Sequence, residues 1–340
     1  MKYLITTDTH LGRKNGNQFE ISNTSKFFDW LTDVASERNI ENLIHLGDWY
    51  DNRRSIPVPV LNKSVEIIDE ISQYFSNIYI LAGNHDLYYK DAVLPSSLEI
   101  FHYIHTPENT HINVVYYPIV VDNILLIPWL INEENYNDIV SNNYNAKYAM
   151  GHLAINNIIM NRAEVRSKNE ILNLSDFEKY DVVMSGHYHQ YGEYQNVVYI
   201  GAPYHMDFND SGKRGVYIFD SEDGSTEFIE YNGSPKYIVV DAENYNKDTI
   251  EGNNIKLEFY NNIGLNKINE IIEDVNCLGP NSISVSYKFT TTFTNNIESD
   301  TMIEYKPNKE LLVEYLKESE LPSNLSIKVF ENIISSMENQ

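Results

Sequence analysis

The stretch KYLITTDTHLG, residues 2–12, is a short apolar run that ends in residue types able to bind a metal ion. The run KYLITT has the length and composition of a buried strand, and Asp8 and His10 follow it directly. In open α/β sheets, ligands bind in the crevice just past the carboxyl ends of the strands. This stretch therefore predicts an α/β fold with a functional site at its strand ends.

The same pattern recurs at four later apolar runs. They read NLIHLGDWYD at 42–51, IYILAGNHD at 78–86, AKYAMGH at 146–152 and VVMSGHYH at 182–189. They add the candidate residues Asp48, Asn84, His85, His152, His187 and His189. A glycine, which permits a tight backbone turn, lies next to the polar residues of each run, at 47, 83, 151 and 186. We expect these side chains to converge in one pocket although they are far apart in the chain.

The donor chemistry of this set indicates a metal class. Carboxylate, imidazole and amide groups without thiolates suit Mn²⁺, Fe²⁺ or Zn²⁺, and the single cysteine, Cys277, excludes a cysteine-based zinc site and an intramolecular disulfide. Seven donor residues are too many for one ion, so we expect two. A carboxylate such as Asp48 can bridge two ions about 3.5–4 Å apart, the spacing used in phosphoryl transfer. The candidate ligands are Asp8, His10, Asp48, Asn84, His152, His187 and His189.

The chain is strongly acidic, with 25 Lys and Arg against 49 Asp and Glu and a formal net charge of −24. A protein that holds DNA by general counterion release normally presents a basic surface. If DNA is the substrate, bound metal ions or a partner protein must therefore supply the positive field. The longest apolar run, ILLIPWLI from Ile124, is about a third of a membrane span, so we expect a cytoplasmic protein without a membrane anchor.

Residues 1–240 are expected to form the first domain. Strand-like runs alternate with amphipathic segments at Thr24–Arg38 and Pro57–Phe75, as in an α/β domain with covering helices. After Ser185 the runs become short and alternating, and turn residues separate them. They are VVYIGAPYH, GVYIFD, STEFIEY and KYIVVDA, and we expect them to be antiparallel strands that finish the same domain.

The remainder of the chain is expected to form two further parts. In residues 241–295, IKLEFY, a helical pattern over 266–275 and SISVSYKF predict a small β-α-β unit. Residues 296–340 read as a polar linker followed by two amphipathic helices. Such terminal helices either complete a core or bind a partner protein, and the pattern alone does not choose between these alternatives.

The motifs D-x-H, G-D-x-x-D, G-N-H-D, G-H and G-H-x-H, in this order, resemble those of the calcineurin-like metallophosphoesterase superfamily. The resemblance implies a four-layer αββα sandwich followed by a small α+β capping domain and C-terminal helices. YIGAPYHMDFND at 199–210 and KRGVYIFD at 213–220 resemble in particular the DNA repair nuclease subunits of the MRE-eleven type, called SbcD in bacteria, and their short phage recombination-nuclease relatives.

This resemblance implies separate roles for the candidate residues as metal ligands and as catalytic groups. One ion is expected to bind to Asp8, His10, Asp48 and His189, and the other to Asp48, Asn84, His152 and His187. His85 is expected to be catalytic and to assist the departure of the leaving group, with Asp86 orienting its ring. Asp51 stands where many members have a histidine and is expected to support His85 instead.

Several basic residues lie close to the ligands in sequence. They are Arg13, Lys14, Arg53, Arg54 and Lys90. We expect Arg13, Arg53, Arg54 and His205 to contact substrate, although each basic residue on its own is also compatible with a solvated surface position.

The function implied is a Mn²⁺-dependent DNA exonuclease and endonuclease for recombination and double-strand-break repair, in which water attacks the phosphodiester directly. Mg²⁺, Fe²⁺ and Zn²⁺ are the alternative ions. Because the chain has no P-loop, the resemblance further implies a coiled-coil ATPase of the SbcC type, bound through the C-terminal helices, and a homodimer. Two other functions stay open, namely a protein or small-molecule phosphatase of the same superfamily and a scaffold with a vestigial metal site.

Overall fold

The computed structural model describes residues 1–141, 144–160, 164–210 and 212–288. The helices are α1 (Arg13–Gly16), α2 (Gln18–Arg38), α3 (Val58–Ile71), α4 (Glu133–Ser141) and α5 (Leu265–Cys277). The strands are β1 (Lys2–Thr6), β2 (Asn42–His45), β3 (Asn77–Leu81), β4 (His111–Val115), β5 (Ile119–Val121), β6 (Ile124–Ile127), β7 (Tyr148–His152), β8 (Val182–Gly186), β9 (Gly192–Tyr194), β10 (Val197–Tyr199), β11 (Gly215–Asp220), β12 (Thr226–Glu230), β13 (Tyr237–Asp241), β14 (Asn254–Phe259) and β15 (Ser282–Tyr287). The C-terminal helices predicted within 296–340 lie outside the described residues.

Two six-stranded sheets carry the site. The first has the order β12-β11-β1-β2-β3-β4 and the second the order β5-β6-β7-β8-β10-β9. Strands β1 to β4 are mutually parallel, as are β6, β7, β8 and β10, while β11, β12, β5 and β9 pair antiparallel at the flanks. The prediction that all strands after Ser185 are antiparallel is therefore wrong for β10, which pairs parallel with β8. The parallel centres bring successive strand ends to one edge of each sheet.

Alternating side chains divide the core into layers. In β1, Leu4 belongs to the cluster beneath α2 and α3, whereas Tyr3 and Ile5 belong to a separate cluster shared by the two sheets. In β6, Leu126 belongs to that shared cluster and Leu125 to a third one on the outer side of the second sheet. This alternation is the period-two pattern of strands buried on both faces. The layers confirm the predicted αββα sandwich.

The two outer layers differ in construction. Helices α2 and α3 cover the first sheet through residues such as Phe27, Phe28 and Ile68. The outer cluster of the second sheet instead contains Ile139 from α4 and Phe177 from a short 3₁₀ helix. Within the described ranges, no helix combines the length and the apolar character needed to cross a membrane.

A third sheet follows, with the order β13-β14-β15 and all strands parallel. It contains the predicted strands at IKLEFY and SISVSYKF, with α5 between them in the chain. Strand β13 was expected to finish the first domain, but it pairs with β14 instead, because its apolar residues pack in the cluster around Ile255 and Leu257. The domain boundaries at 240 and 295 stay a prediction.

Candidate active site

The strand ends of both sheets meet at one place. Asp8, Asp48 and Asn84 follow β1, β2 and β3 of the first sheet, while His152 and His187 lie at the ends of β7 and β8 of the second. Four residues of the cluster have a left-handed backbone, with φ of +48° at Asp8, +45° at His10, +55° at Asp48 and +83° at His187. This conformation is unfavourable for residues other than glycine and is typical of functional turns.

We call Asp8, His10 and His189 the first donor set. Asp8 Oδ2 accepts hydrogen bonds from Thr7 Oγ1 at 2.7 Å and from the His187 N–H at 3.0 Å. Its other oxygen, Oδ1, is buried without a hydrogen-bond partner among the described residues and lies 3.7 Å from His10 Nε2 and 4.0 Å from His189 Nε2. The two Nε2 atoms are only 3.0 Å apart. An unpartnered carboxylate oxygen beside two converging imidazole nitrogens fits a cation site.

We call Asp48, Asn84, His152 and His187 the second donor set. Asp48 Oδ1 accepts a hydrogen bond from the His85 N–H at 2.8 Å, and Asp48 Oδ2 lies 3.3 Å from His152 Nε2. The amide oxygen of Asn84 lies 3.1 Å from His152 Nε2 and 3.0 Å from His187 Nδ1. An amide oxygen, a carboxylate oxygen and two ring nitrogens thus converge on one point.

Asp48 links the two sets, because its Oδ2 also lies 3.7 Å from His10 Nε2. Three donors in each set, Asp8, His10 and His189 in one and Asp48, His152 and His187 in the other, lie within 4.8 Å of one another. The structure brings all seven predicted ligands together and fits two divalent ions. Which ligand binds which ion stays a prediction.

The electrostatics of the site favour an ionised Asp48. Burial disfavours its charged form, but the nearby His152 and His10 hold the pKa of the carboxyl below its ordinary value. Burial likewise disfavours charge on His152, yet Asp48 raises the pKa of that imidazole to about 9. Because a histidine binds metal in its neutral form, metal binding here would release a proton.

Two glycines allow the loops to approach this closely. A Cβ at Gly83 would lie 2.2 Å from the Asp48 backbone nitrogen, and a Cβ at Gly186 would lie 2.0 Å from Thr7 Oγ1. Both contacts are far shorter than any side-chain carbon can make. The glycines of AGNHD and SGHYH are therefore needed for packing against the loop that carries each carboxylate.

His85 faces the site without belonging to either donor set. Its Nδ1 lies 2.6 Å from the carbonyl oxygen of Asp51, which can only accept a hydrogen bond, so Nδ1 carries the proton and Nε2 is the free nitrogen. Its ring meets that of His10 edge-on at 4.9 Å. The backbone carbonyl of Asp51 thus contacts His85, while its side-chain Oδ1 lies 3.6 Å from His10 Nδ1, so a role for the Asp51 side chain in supporting His85 stays a prediction.

Asp86 has a different position from the one predicted. Its buried carboxylate accepts hydrogen bonds from the backbone N–H groups of Gly83 at 2.9 Å, Tyr50 at 3.1 Å and Trp49 at 3.3 Å. The expected contact with the His85 ring is replaced by the Asp51 carbonyl, because these three donors already engage both oxygens. Burial and the charge of Asp48 raise the pKa of Asp86 to about 7. Asp86 therefore connects the loops that carry Asp48 and Asn84.

A cavity of about 240 Å³ opens over both donor sets. It is lined by His10, Arg13, Asp48, Asp51, Asn84, His85, His187, His189, Met206 and Asp207. Arg13 donates a hydrogen bond to the Met206 carbonyl and lies 3.9 Å from Glu20, so its guanidinium is fixed at the wall of the cavity. Arg13 thus lines the cavity, and its contact with substrate stays a prediction.

The other predicted basic residues lie elsewhere. Arg53 and Lys90 line a neighbouring cleft, whereas Arg54 is exposed. Lys14 pairs with Glu20 at 2.6 Å. His205 does not line the cavity, and burial together with the nearby Arg214 lowers the pKa of its imidazole to about 4.

Sequence reasoning missed two residues that shape the site. Trp129, just after β6, packs its ring against that of His187 with centroids 4.9 Å apart. Arg214 is buried and donates a hydrogen bond to the His189 carbonyl. It also forms an ion pair with Asp210 at 3.3 Å, and Asp210 Oδ2 accepts a hydrogen bond from the Met206 N–H. The strand-end rule could have found Trp129. Nothing in the sequence signals the role of Arg214.

Comparisons with known proteins identify several similar chains. The chain is 29% identical over 240 residues to "Exonuclease subunit 1" of Enterobacteria phage T4, and the matched region covers 68% of each protein. It is 28% identical over 106 residues to the SbcD component of the SbcCD nuclease of Escherichia coli strain K12, covering 31% of this chain and 26% of that protein. A crystal structure of Pseudomonas putida nuclease MPE aligns with 66% of this chain and 87% of its own, at 13% identity and a TM-score of 0.30.

The family assignment rests on the part of the chain that builds both donor sets. Residues 1–191 match the calcineurin-like phosphoesterase family, which is more than half of the chain, and they include every candidate ligand. The paired donor sets provide the divalent-metal chemistry that the hydrolysis of phosphoesters uses. The chain therefore belongs to the calcineurin-like phosphoesterase family and is a metal-dependent hydrolase of phosphoester bonds.

Proposed function

We propose that the chain is a DNA nuclease subunit that cleaves phosphodiester bonds as both exonuclease and endonuclease, with two Mn²⁺ ions. The observation that carries this proposal is the position of Asp48 Oδ2, which lies beside both donor sets at the bottom of an open cavity. A donor set of carboxylates, imidazoles and one amide suits Mn²⁺ as well as Fe²⁺ and Zn²⁺, and the resemblance to the MRE-eleven type favours Mn²⁺ among them. The choice of a nuclease draws on the names of the phage and bacterial relatives, which are an exonuclease subunit and a nuclease subunit, and the choice of DNA draws on the resemblance of the motifs to DNA repair nucleases.

When bound, the ions would polarise the phosphodiester and increase the acidity of water. Asp8, His10 and His189 would hold one ion, and Asn84, His152 and His187 the other, with Asp48 shared. Backbone N–H groups donate to Asp8 Oδ2 and to Asp48 Oδ1 and so orient both carboxylates, which leaves Asp8 Oδ1 and Asp48 Oδ2 beside the ligand histidines. This arrangement orients the ligands before substrate arrives.

With both ring nitrogens protonated, His85 would donate its Nε2 proton to the leaving oxygen and become the neutral imidazole. Its Nδ1 is occupied by the Asp51 carbonyl, so proton exchange takes place at Nε2. Since His85 lines the cavity and lies outside both donor sets, it is available to the substrate. Arg13 would contribute positive charge beside the phosphate.

We further propose that the chain acts as a homodimer with a coiled-coil ATPase of the SbcC type, and that residues 296–340 bind this partner while 241–295 seat DNA. The bacterial relative is by its name one component of the SbcCD nuclease. Purification of the full chain and of a chain ending at residue 295 from the native host tests this. We expect a large ATPase to co-purify with the full chain and not with the chain that ends at residue 295.

The substrate assignment is tested with the purified full chain and Mn²⁺. Linear duplex DNA, single-stranded DNA and a phosphopeptide are compared, and nucleotide release is measured against phosphate release. We expect nucleotides from DNA and no phosphate from the peptide. Turnover of the phosphopeptide without nucleotide release would overturn the nuclease assignment and leave a phosphatase of the same family. Absence of turnover on all substrates, with both ions bound, would instead support a scaffold.

A further inference from the structure

A second cleft adjoins the catalytic cavity on the side of Asn84. It has a volume of about 240 Å³ and is lined by Arg53, Asn84, Leu87, Tyr89, Lys90 and Trp129. Asn84 lines both spaces, so the cleft begins directly at the second donor set. Apart from the substrate contact expected of Arg53, none of the roles assigned above uses this space.

The lining of the cleft combines aromatic rings with cations. Tyr89 is 51% exposed, and its ring is braced edge-on by Tyr88 with centroids 4.8 Å apart. Trp129 is half-buried and rests on the His187 ring, which fixes its position relative to the second donor set. Leu87 is buried and supplies an apolar wall. Rigid, partly exposed aromatic side chains of this kind are surfaces on which nucleobases stack.

The two cations of the cleft are not engaged elsewhere. Neither Arg53 nor Lys90 forms an ion pair within the part of the chain that the structure describes. By contrast, Lys14 pairs with Glu20 and Arg38 with Glu227. In a chain of net charge −24, two such cations beside exposed aromatic rings form a local site for an anion that also carries a flat apolar group.

We propose that this cleft binds an unstacked nucleobase of single-stranded DNA next to the scissile phosphate, with Tyr89 and Trp129 contacting the base and Arg53 and Lys90 contacting the neighbouring phosphates. The proposal rests on the proposed nuclease function and defines its substrate as a strand with an accessible base. A fully stacked duplex would have to fray at its end before a base could enter.

The test compares two single-stranded substrates with the full chain and Mn²⁺. One is an oligodeoxythymidylate, and the other is an abasic tetrahydrofuran oligomer of the same length and the same phosphate charge. Because stacking on an aromatic side chain strengthens binding of a base, we expect kcat/KM to be about tenfold higher for the oligomer that carries bases. In Tyr89→Ala the ratio between the two substrates should fall clearly below the wild-type value, and the Trp129 contact accounts for what remains.

Arg53→Ala separates the phosphate contribution from the base contribution. It should raise KM for both oligomers while keeping their ratio, and it should reduce the slope of log affinity against log salt by about 0.7, the value for one phosphate contact on a single strand. Lys26→Ala is the matched control, because Lys26 also lines a cleft with aromatic residues, Trp30 and Tyr231, away from both donor sets. It should change neither quantity.

The outcomes distinguish the two proposals. A wild-type ratio near one, or an unchanged ratio in Tyr89→Ala, would overturn the base-binding cleft while DNA cleavage itself leaves the nuclease assignment intact. Cleavage of linear duplex DNA without cleavage of either oligomer would overturn the cleft alone. Hydrolysis of bis(p-nitrophenyl) phosphate without cleavage of the oligomers or of duplex DNA would overturn both proposals. A reduced ratio in Tyr89→Ala, with circular dichroism and melting temperature as in the wild type, supports the cleft.

Discussion

The two donor sets differ in how firmly the protein holds them. In the second set, His152 is fully buried and its Nδ1 lies 2.9 Å from the Leu46 carbonyl, so the ring has one tautomer and one orientation. In the first set, His10 Nδ1 has no hydrogen-bond partner among the described residues, and the His189 side chain is 32% exposed. Groups that orient metal-ligating histidines raise metal affinity.

This difference predicts two ions of unequal affinity. The second set should bind its ion more tightly, because its ligands are already oriented in the protein. The first set, which is open to the cavity, should bind more weakly and adjust more easily as substrate enters. Titration of the metal-free protein with Mn²⁺ in a calorimeter should therefore resolve two binding steps. Four variants test how the two donor sets and the residues around them differ.

Asp48→Ala should have the largest effect, because it removes the carboxylate that both sets share. We expect both ions to be lost and activity to fall by at least about 10³-fold, since bound metal contributes several kcal/mol to the transition state. Metal analysis after dialysis and the rate on single-stranded DNA measure this. Asp69→Ala, an exposed carboxylate on α3, is the control. Retention of one ion at full occupancy would show that Asp48 is not shared.

His85→Ala should reduce activity by about 10²- to 10⁴-fold, the usual contribution of a general acid, while both ions stay bound. The rate and the metal content are measured on the same preparation. His102→Ala removes an exposed histidine and should change neither. Loss of an ion from the His85 variant would place this residue among the ligands and contradict the assigned role.

Asp51→Ala should act on the first set alone. It removes the carboxylate that lies 3.6 Å from His10 Nδ1 but keeps the backbone carbonyl that contacts His85. We expect the weaker of the two Mn²⁺ affinities to fall about tenfold and the tighter one to be unchanged. Asp91→Ala, which removes an exposed carboxylate outside the cavity lining, should leave both titration steps in place. Equal weakening of both steps would remove the distinction between the sets.

Ser64→Ala should have the smallest effect on the site and act through stability. The buried Ser64 Oγ lies 2.9 Å from Trp49 Nε1 and 2.7 Å from the Tyr50 hydroxyl, both of which donate to it from the loop after Asp48. Leaving these donors unpaired should lower the free energy of unfolding by about 2 kcal/mol. Denaturant unfolding measures this, with the exposed Ser36→Ala on α2 expected to stay within about 0.5 kcal/mol of the wild type.

The sequence predicted the position of the site because each signal was local. An apolar run, a glycine and a donor residue identify a strand end, and the rule for open sheets then places such ends together. Pairing between distant strands has no local signal in the sequence. For this reason the sequence could not predict that β11 pairs with β1 or that β13 pairs with β14.

Hydrogen bonds to backbone atoms could not be predicted from the sequence either. The Asp51 carbonyl, which contacts His85 in place of the Asp86 side chain, is an atom that every residue type has. Arg214 acts on the His189 carbonyl in the same manner. Trp129 was visible at a strand end, but an indole is not a metal ligand, and a search for donors passes over it.

The left-handed backbone at Asp8, His10, Asp48 and His187 has a consequence for engineering. Each of these positions costs of the order of 1 kcal/mol relative to glycine, so glycine there would relax the chain while removing a ligand. Selection of variants for heat resistance alone would therefore put no penalty on the loss of these ligands. Directed evolution of this enzyme should screen for turnover in every round, because relaxed backbone conformation and metal binding make opposing demands on these four residues.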